Sequence, residues 1–490
     1  MFKPNSLFYT DGYKIGHKKM LAKGTKYLYG TWIPRSTKHA PKGITKIVSF
    51  GQQLVVKWLH DEFTENFFAL PKDEALKFAK DMSLYLGQEF DGAHFEALHD
   101  LGYLPIRVKS LPEGIETPAN IPHMTFVNTV SGFAWLTLFL ETIISSLAWK
   151  PSTSATIALR YRRNLTDWVM VTDPASAWLI PFLCHDFSAR GLNPWDMLSS
   201  GLGHATSFRG SDSIIVIPGA RYFYNEPEDE VAINSVNASE HSVSTTKIFT
   251  VGEQQMIADW LEDFPTGILS IVSDTFDLWK LITEYLPANK EAIMARDGKL
   301  VIRPDSGDPV DIICGTYQSL TIPDNIKPLR PSEKGAIELL WDIFGGIINE
   351  QGYKVLDPHI GAIYGDSITL DRQIKIYERL EAKGFASTNI VLGIGSFTYQ
   401  YNTRDTFGFA AKGAWFQTDE AAYDIYKDPI TDDGTKKSLK GLVAVTEQLE
   451  VLTQCTVEQE VSGILQTIYE DGKFYNQTTL AEVREKLNNI

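Results

Sequence analysis

From about residue 180 onward, short apolar, β-branched runs alternate with stretches of helical periodicity. The runs are "PFLCHDFSARG" (181–191), "SDSIIVIPGA" (211–220), "GILSIVSDTFD" (267–277), "KLVIRPDSGDP" (299–309), "GAIYGDSI" (361–368) and "NIVLGIGSF" (389–397). After "YGD", Leu370, Ile374 and Tyr377 recur at i, i+4 and i+7, and Lys383-Gly384 supplies a stop signal. Strands alternating with such helices predict parallel βαβ units. Six of them suit a (β/α) barrel or a doubly wound sheet, and in both the function gathers at the carboxyl ends of the strands. Asp186, Arg190, Asp274, Arg303, Asp305, Asp366 and Gly395 fall at those ends.

The two ends of the chain read differently. "LPIRVKSLPEGIETPANIPHMTFVNT" (104–129) is rich in Pro, Val and Ile and predicts a small β layer, and "GLVAVTEQ" (441–448) is a similar run near the other end. The expectation is an α/β barrel domain over 151–397. Residues 1–150 and about 398–490 then form one discontinuous, mixed α+β flanking domain. "SGFAWLTLFLETIISSLAWK" (131–150) is apolar enough to suggest a membrane span, but Glu141 lies in its middle. A charge at mid-bilayer costs several kcal/mol, so a helix buried in the core or at a subunit contact is expected, with no membrane role.

Composition narrows the function classes. The 490 residues are 43% hydrophobic, ample for a large core, and a net charge of −15 argues against a nucleic-acid binder. Cys184, Cys314 and Cys455 are far apart and odd in number. They suggest neither a zinc site nor a disulfide framework, and a reducing, cytoplasmic setting is expected. The N-terminus lacks the apolar core of a signal peptide.

Several short motifs carry candidate chemistry. "RPDSGDP" places Arg303, Asp305 and Asp308 around Ser306-Gly307 just past a strand. An arginine fork grips phosphate, and a carboxylate accepts ribose hydroxyls or holds Mg²⁺. The plainer alternative is a Pro/Gly turn. "GDS" around Asp366 repeats the arrangement, with Asp366 or Ser367 as a helix N-cap in the plainer reading. "LGIGS" (392–396) is a turn able to show backbone N–H groups to an anion, or simply a tight turn. "YKDPITDDGTKKSLKG" (426–441) carries Lys427, Lys436, Lys437 and Lys440, as a phosphate-closing lid or a solvated loop. "NASEHSVST" (237–245) sets Glu240 and His241 among helix-capping residues. Adjacent residues do not face each other on a helix or a strand, so Glu240 is a poor direct partner for His241.

Taken in order, these segments resemble the nicotinamide phosphoribosyltransferases over essentially the whole chain. The residues that carry the likeness are "TDGYK" (10–14), "WIPRS" (32–36), "HDFSARG" (185–191), "GSD" (210–212), "SEHS" (239–242), "SDTFD" (273–277), "IRPDSG" (302–307), "YGDS" (364–367), "TRD" (403–405) and "YKDP" (426–429). The resemblance implies an irregular (β/α) barrel of the type II phosphoribosyltransferase kind with a flanking domain. It also implies a homodimer whose active sites need both chains. The implied reaction joins nicotinamide to phosphoribosyl pyrophosphate (PRPP), giving nicotinamide mononucleotide and pyrophosphate. Mg²⁺ travels mainly with the pyrophosphate, and ATP phosphorylates a histidine.

Carried onto this chain, Phe187 resembles the aromatic stacked on the pyridine ring. Tyr13, with Asp11 nearby, resembles the aromatic covering its other face from the partner chain. Arg190 resembles the arginine beside base and phosphate, and Asp212 the reader of the carboxamide. Asp305 and Asp366 resemble the ribose ligands. Arg35, Arg303, Arg404, Lys412 and Lys427, with the backbone of Gly395 and Ser396, resemble the phosphate and pyrophosphate binders. His241 resembles the phosphorylated histidine and Asp274 its orienting group.

Three positions depart from the family pattern. Ser396 and Phe397 of "GIGSF" stand where a glycine run is common, Gly361 where an arginine is expected, and Ala189 where the residue is larger. The rivals are a nicotinate phosphoribosyltransferase, a non-catalytic nucleotide-binding descendant, and an unrelated barrel enzyme such as an aldolase. The aldolase needs a Schiff-base lysine at a strand end, and none of the strand ends above supplies one. An anionic Asp212 favours the amide over the acid, because it accepts N–H₂ and repels a carboxylate.

Overall fold

The computed structural model describes residues 3–317, 328–365, 367–431 and 437–488. The chain separates into two units, Met1–Thr156 with Pro218–Glu230 and Asn402–Ile490, and Ile157–Ile217 with Val231–Tyr401.

The second unit is built on a curled, six-stranded parallel sheet. Its strands are β1 (Cys184–Phe187), β2 (Asn237–Ala238), β3 (Thr266–Val272), β4 (Asp297–Arg303), β5 (Ile360–Tyr364) and β6 (Ile390–Gly395), in the order β1-β6-β5-β4-β3-β2. Isolated parallel bridges Asp186–Ser211 and Gly210–Asn234 continue the pairing beyond β1. Leu269, Ile271, Leu300, Ile302, Ile360, Ala362, Ile390, Leu392 and Ile394 alternate onto one packed face, and all are buried. The other face carries His185 opposite Gly393 and Phe187 opposite Gly395.

Five of the six expected strands are present. The exception is "SDSIIVIPGA". Only Ser211 bridges to the sheet, and the apolar run enters a helix, Val216–Tyr224. Val216, Ala220, Phe223 and Tyr224 are buried while Ile214 is exposed. That is the 3.6-residue period, and it overrides the β-branched composition. The missing strand is β2, inside "NASEHSVST", and helix His241–Val251 follows it. Its N-cap is Glu240, whose side chain makes no capping bond. The helix after β5 spans Leu370–Ala382 and ends at Lys383, with Gly384 at φ +74°. Its N-cap is Thr369, not Asp366 or Ser367, and Thr369 accepts the backbone N–H of Arg372.

The first unit holds a seven-stranded antiparallel sheet. Its order is Ala422–Asp424, Ala410–Gln417, Tyr27–Ile33, Met124–Asn128, Ile106–Ser110, Gln466–Glu470, Lys473–Phe474. The strands expected near 104–129 and 441–448 are there, the latter as Leu442–Val445 paired with Val451–Cys455. The apolar stretch 131–150 becomes helix Ala134–Phe139 and the start of helix Glu141–Thr172. No helix among the described residues is long and apolar enough to cross a membrane. The three cysteines are free.

Candidate active site at the strand ends

β3 and β4 are adjacent and in register from Thr266–Asp297 to Val272–Arg303, so the loops that leave them start side by side. Asp274 anchors one loop to the other. Its Oδ2 accepts the backbone N–H of Asp305 (3.0 Å) and Ser306 (2.8 Å) and the Ser306 hydroxyl (2.5 Å). Its Oδ1 is buried and makes no hydrogen bond among the described residues, though His241 Nε2 lies 3.5 Å away. Asp305 Oδ1 is nearer to that nitrogen, at 3.1 Å, and the Thr275 hydroxyl lies 3.2 Å from Nδ1. An ionised carboxylate only accepts, so in this orientation Nε2 carries the proton and Nδ1 the lone pair.

Arg303 closes the cluster. It donates to Asp305 Oδ2 at 3.3 Å and to the Ser239 carbonyl at 3.0 Å. Asp308 follows its plainer reading: it caps helix Pro309–Cys314, accepting from the backbone N–H of Val310. Asp366 and Lys436 lie outside the described residues.

The end of β1 forms a second set of groups. Asp186 is fully buried and accepts from the Ser188 backbone and the Ser211 and Ser213 hydroxyls. It fixes the 211–213 turn, which carries Asp212. Asp212 Oδ1 accepts His185 Nε2–H at 2.9 Å and the Ser235 hydroxyl at 2.5 Å. Burial resists ionisation of Asp212. The His185 and Ser235 bonds and the charge of Arg303 outweigh it and hold the carboxyl below its ordinary value. Phe187 is half-buried, its ring 4.6 Å from that of His185, and Arg190 is exposed in the turn Ala189–Gly191.

β6 ends at Gly395, and Ser396 opens a short helix to Gln400. A Cβ on Gly191 would collide with the Ser396 side chain, so that glycine permits the turn to approach. Phe397 is exposed and stacks on Tyr401, centroids 4.3 Å apart, so the departure from glycine adds an aromatic pair at this rim. At Gly361, a Cβ would stand 3.2 Å from Lys299 Cδ and 3.8 Å from its ammonium. A lysine of the neighbouring strand therefore lies over the position where an arginine was expected. Burial pushes Lys299 below its ordinary pKa, with Asp357 opposing.

The remaining candidates lie in the first unit. Lys412, on strand Ala410–Gln417, has its ammonium 3.8 Å from Glu141 Oε1, while buried Lys14 holds Oε2 at 2.6 Å. Burial, aided by Arg35, Lys427 and Lys14, lowers the Lys412 pKa against the pull of Glu141. Arg35 donates to the Gly408 carbonyl, Arg404 pairs weakly with Asp405 at 3.4 Å, and Lys427 is exposed. Asp11 accepts from the Thr142 hydroxyl, and Tyr13 is exposed beside His17.

The sequence reading did not single out His185, Ser235, Thr275 or Lys299. Each acts on a partner at least 23 residues away or across a strand. His185 and Thr275 gave a signal, since they stand inside the motifs "HDFSARG" and "SDTFD".

Comparison with known proteins adds independent findings. Residues 182–489 match the model of the nicotinate phosphoribosyltransferase (NAPRTase) family. A nicotinamide phosphoribosyltransferase of Acinetobacter baylyi is 42% identical, over 99% of this chain and 97% of that one. One from Xanthomonas campestris is 32% identical over 83% of this chain and 84% of its own. Among solved structures, a nicotinate-nucleotide pyrophosphorylase from Pyrococcus furiosus shares the fold, with TM-score 0.57 at 16% identity, covering 99% of this chain and 95% of that one.

Proposed function

Since the chain belongs to the nicotinate phosphoribosyltransferase family, we propose that it is a pentosyltransferase that joins nicotinamide to the ribose of PRPP, supplying nicotinamide mononucleotide to NAD biosynthesis or salvage. The reading rests on one observation above others. His241, Asp274, Asp305 and Arg303 form one hydrogen-bonded cluster at the ends of adjacent parallel strands. The family pattern assigns phosphoryl and ribose chemistry to those positions. An irregular barrel around this sheet belongs to the same proposal, as does a homodimer whose partner chain supplies Asp11 and Tyr13.

The base is read by Phe187, which offers a flat face for an electron-poor ring, by Arg190, and by Asp212, whose lowered pKa keeps it an acceptor for N–H₂. The ring nitrogen attacks the anomeric carbon as the bond to pyrophosphate breaks. Positive charge grows on the sugar, and the carboxylates of Asp305 and Asp366 stabilise it while holding the ribose hydroxyls. Arg35, Arg303, Arg404, Lys412 and Lys427, with the N–H groups of Gly395 and Ser396, hold the anionic ends.

Oxygen donors that suit Mg²⁺ are present in Asp305 and in the hydrogen-bond-free Oδ1 of Asp274. The bound metal supplies charge neutralisation for the leaving pyrophosphate. For ATP coupling, His241 attacks the γ-phosphorus of ATP through the lone pair on Nδ1 as the bond to ADP breaks. Nε2–H stays directed at Asp305 and Asp274 Oδ1, which steady the positive charge formed on the ring, and Thr275 flanks the attacking nitrogen.

The test is a product assay with PRPP and each base, with and without ATP. Nicotinamide mononucleotide should form with nicotinamide and little product with nicotinate. Preference for nicotinate would overturn the amide assignment. γ-labelled ATP should label wild type and not His241→Asn. Synthesis without any label would remove the phosphohistidine from the mechanism.

A further inference from the structure

We propose that His185 is a positioning residue that sets the choice of base, by tying one oxygen of Asp212 so that the other is presented to the ligand's amide. The inference rests on the reading of Asp212 given above and adds the group that makes it work.

Four observations carry it. First, among the described residues, both protein hydrogen bonds to the Asp212 carboxylate, from His185 and Ser235, converge on Oδ1. Oδ2 is left for a ligand donor. The Asp212 side chain is 45% exposed whereas that of His185 is only 11% exposed, so a fixed ring pins a reachable carboxylate.

Second, His185 and Phe187 lie on the same face of β1, two residues apart, with ring centroids 4.6 Å apart and planes at 36°. One imidazole therefore touches both groups assigned to the base.

Third, the positions opposite them on β6 are Gly393 and Gly395. No side chain from that strand fills the space over the two rings, which leaves room for a flat ligand.

Fourth, Gly210 is shaped to seat the histidine. A Cβ there would stand 3.0 Å from His185 Nδ1, tighter than an unshifted ring tolerates. The glycine of "GSD" thus serves a histidine on β1.

The physical consequence is discrimination. A donor to the charged form keeps Asp212 ionised. An ionised Asp212 accepts the amide N–H₂ of nicotinamide and repels the carboxylate of nicotinate. Without the Nε2–H bond the carboxylate turns and its free oxygen is no longer aimed.

The experiment compares His185→Phe, His185→Gln, Ser235→Ala and Asp212→Ser in the full-length protein, with steady-state kinetics on both bases. His185→Phe keeps a ring against Phe187 and removes the donor. It should raise the nicotinamide KM and lower the nicotinamide-to-nicotinate ratio of kcat/KM, each by about tenfold, with kcat nearly unchanged. His185→Gln retains an N–H donor and should recover most of that ratio. Ser235→Ala should loosen it only partly.

If Asp212→Ser relaxes the preference and His185→Phe does not, the proposal for His185 falls alone. If Asp212→Ser leaves the preference intact, the base-reading assignment falls with it. If His185→Phe does not fold, the glutamine variant decides. Wild-type selectivity upholds the role, and selectivity as low as that of Asp212→Ser overturns it.

Discussion

The acidic cluster of the parallel sheet and the cation cluster of the antiparallel one handle charge in opposite ways. Around β3 and β4 nearly every charge is already answered by a neighbour. Asp274 Oδ2 accepts three donors, and Asp305 faces both His241 and Arg303. Around Lys412 the cations are gathered with less compensation. One carboxylate, Glu141, serves both Lys14 and Lys412, and Arg35 and Lys427 add to the repulsion. A pre-satisfied network holds geometry for bond-making. A crowd of under-compensated cations favours the arrival of an anion. Rigid placement and unspent charge are different preparations, and they should fail differently.

The largest break in that comparison is Asp305→Asn. The amide keeps the shape but loses the charge facing His241 and Arg303, and kcat should fall by about 10²–10³-fold. Single-turnover product formation checks this, and a change confined to KM would contradict the division of labour.

A smaller effect is expected from Lys412→Gln. It should raise the KM for PRPP by about tenfold and leave kcat nearly alone, the pattern of lost ground-state binding. The wild type adds a pH test. Because the Lys412 pKa lies below that of an ordinary lysine, its charge is lost at lower pH than an ordinary lysine's as the pH rises. The PRPP KM should therefore climb on the alkaline side, and the climb should vanish in Lys412→Gln.

The smallest effect sharpens the contrast at Gly361. If the Lys299 ammonium stands in for the expected arginine, Lys299→Met should weaken the ATP-dependent gain in activity by a few-fold and spare basal synthesis. Rates with and without ATP give the answer.

Much of the parallel sheet was legible because its strands are continuous apolar runs punctuated by acids and glycines. β2 was not. It is two residues long, exposed, and made of Asn237 and Ala238, so no apolar period announces it. "SDSIIVIPGA" misled for the converse reason, since β-branched residues signal a strand unless helical burial decides otherwise. The candidate site was legible as a set of residue types. Its wiring was not: Asp274 was expected to orient His241, whereas the shorter contacts run to Asp305 and Thr275, 64 and 34 residues away. Hydrogen bonds across such separations leave no local pattern. The pairing of Lys14 with Glu141 was hidden in the same way, inside a stretch that resembled a membrane span.

The antiparallel sheet has a consequence for how the chain is made. Strand Tyr27–Ile33 is flanked by Met124–Asn128 on one side and Ala410–Gln417 on the other. The first neighbour leaves the ribosome early, but the second follows about 380 residues after the strand it completes. At roughly 5–20 residues per second, that edge waits about 20–80 s for its partner. An apolar strand with an unpaired edge is an aggregation template. The nascent protein therefore spends most of its synthesis with one hydrogen-bonding edge unsealed, and a chaperone that shields extended apolar segments should bind it until Ala410–Gln417 emerges.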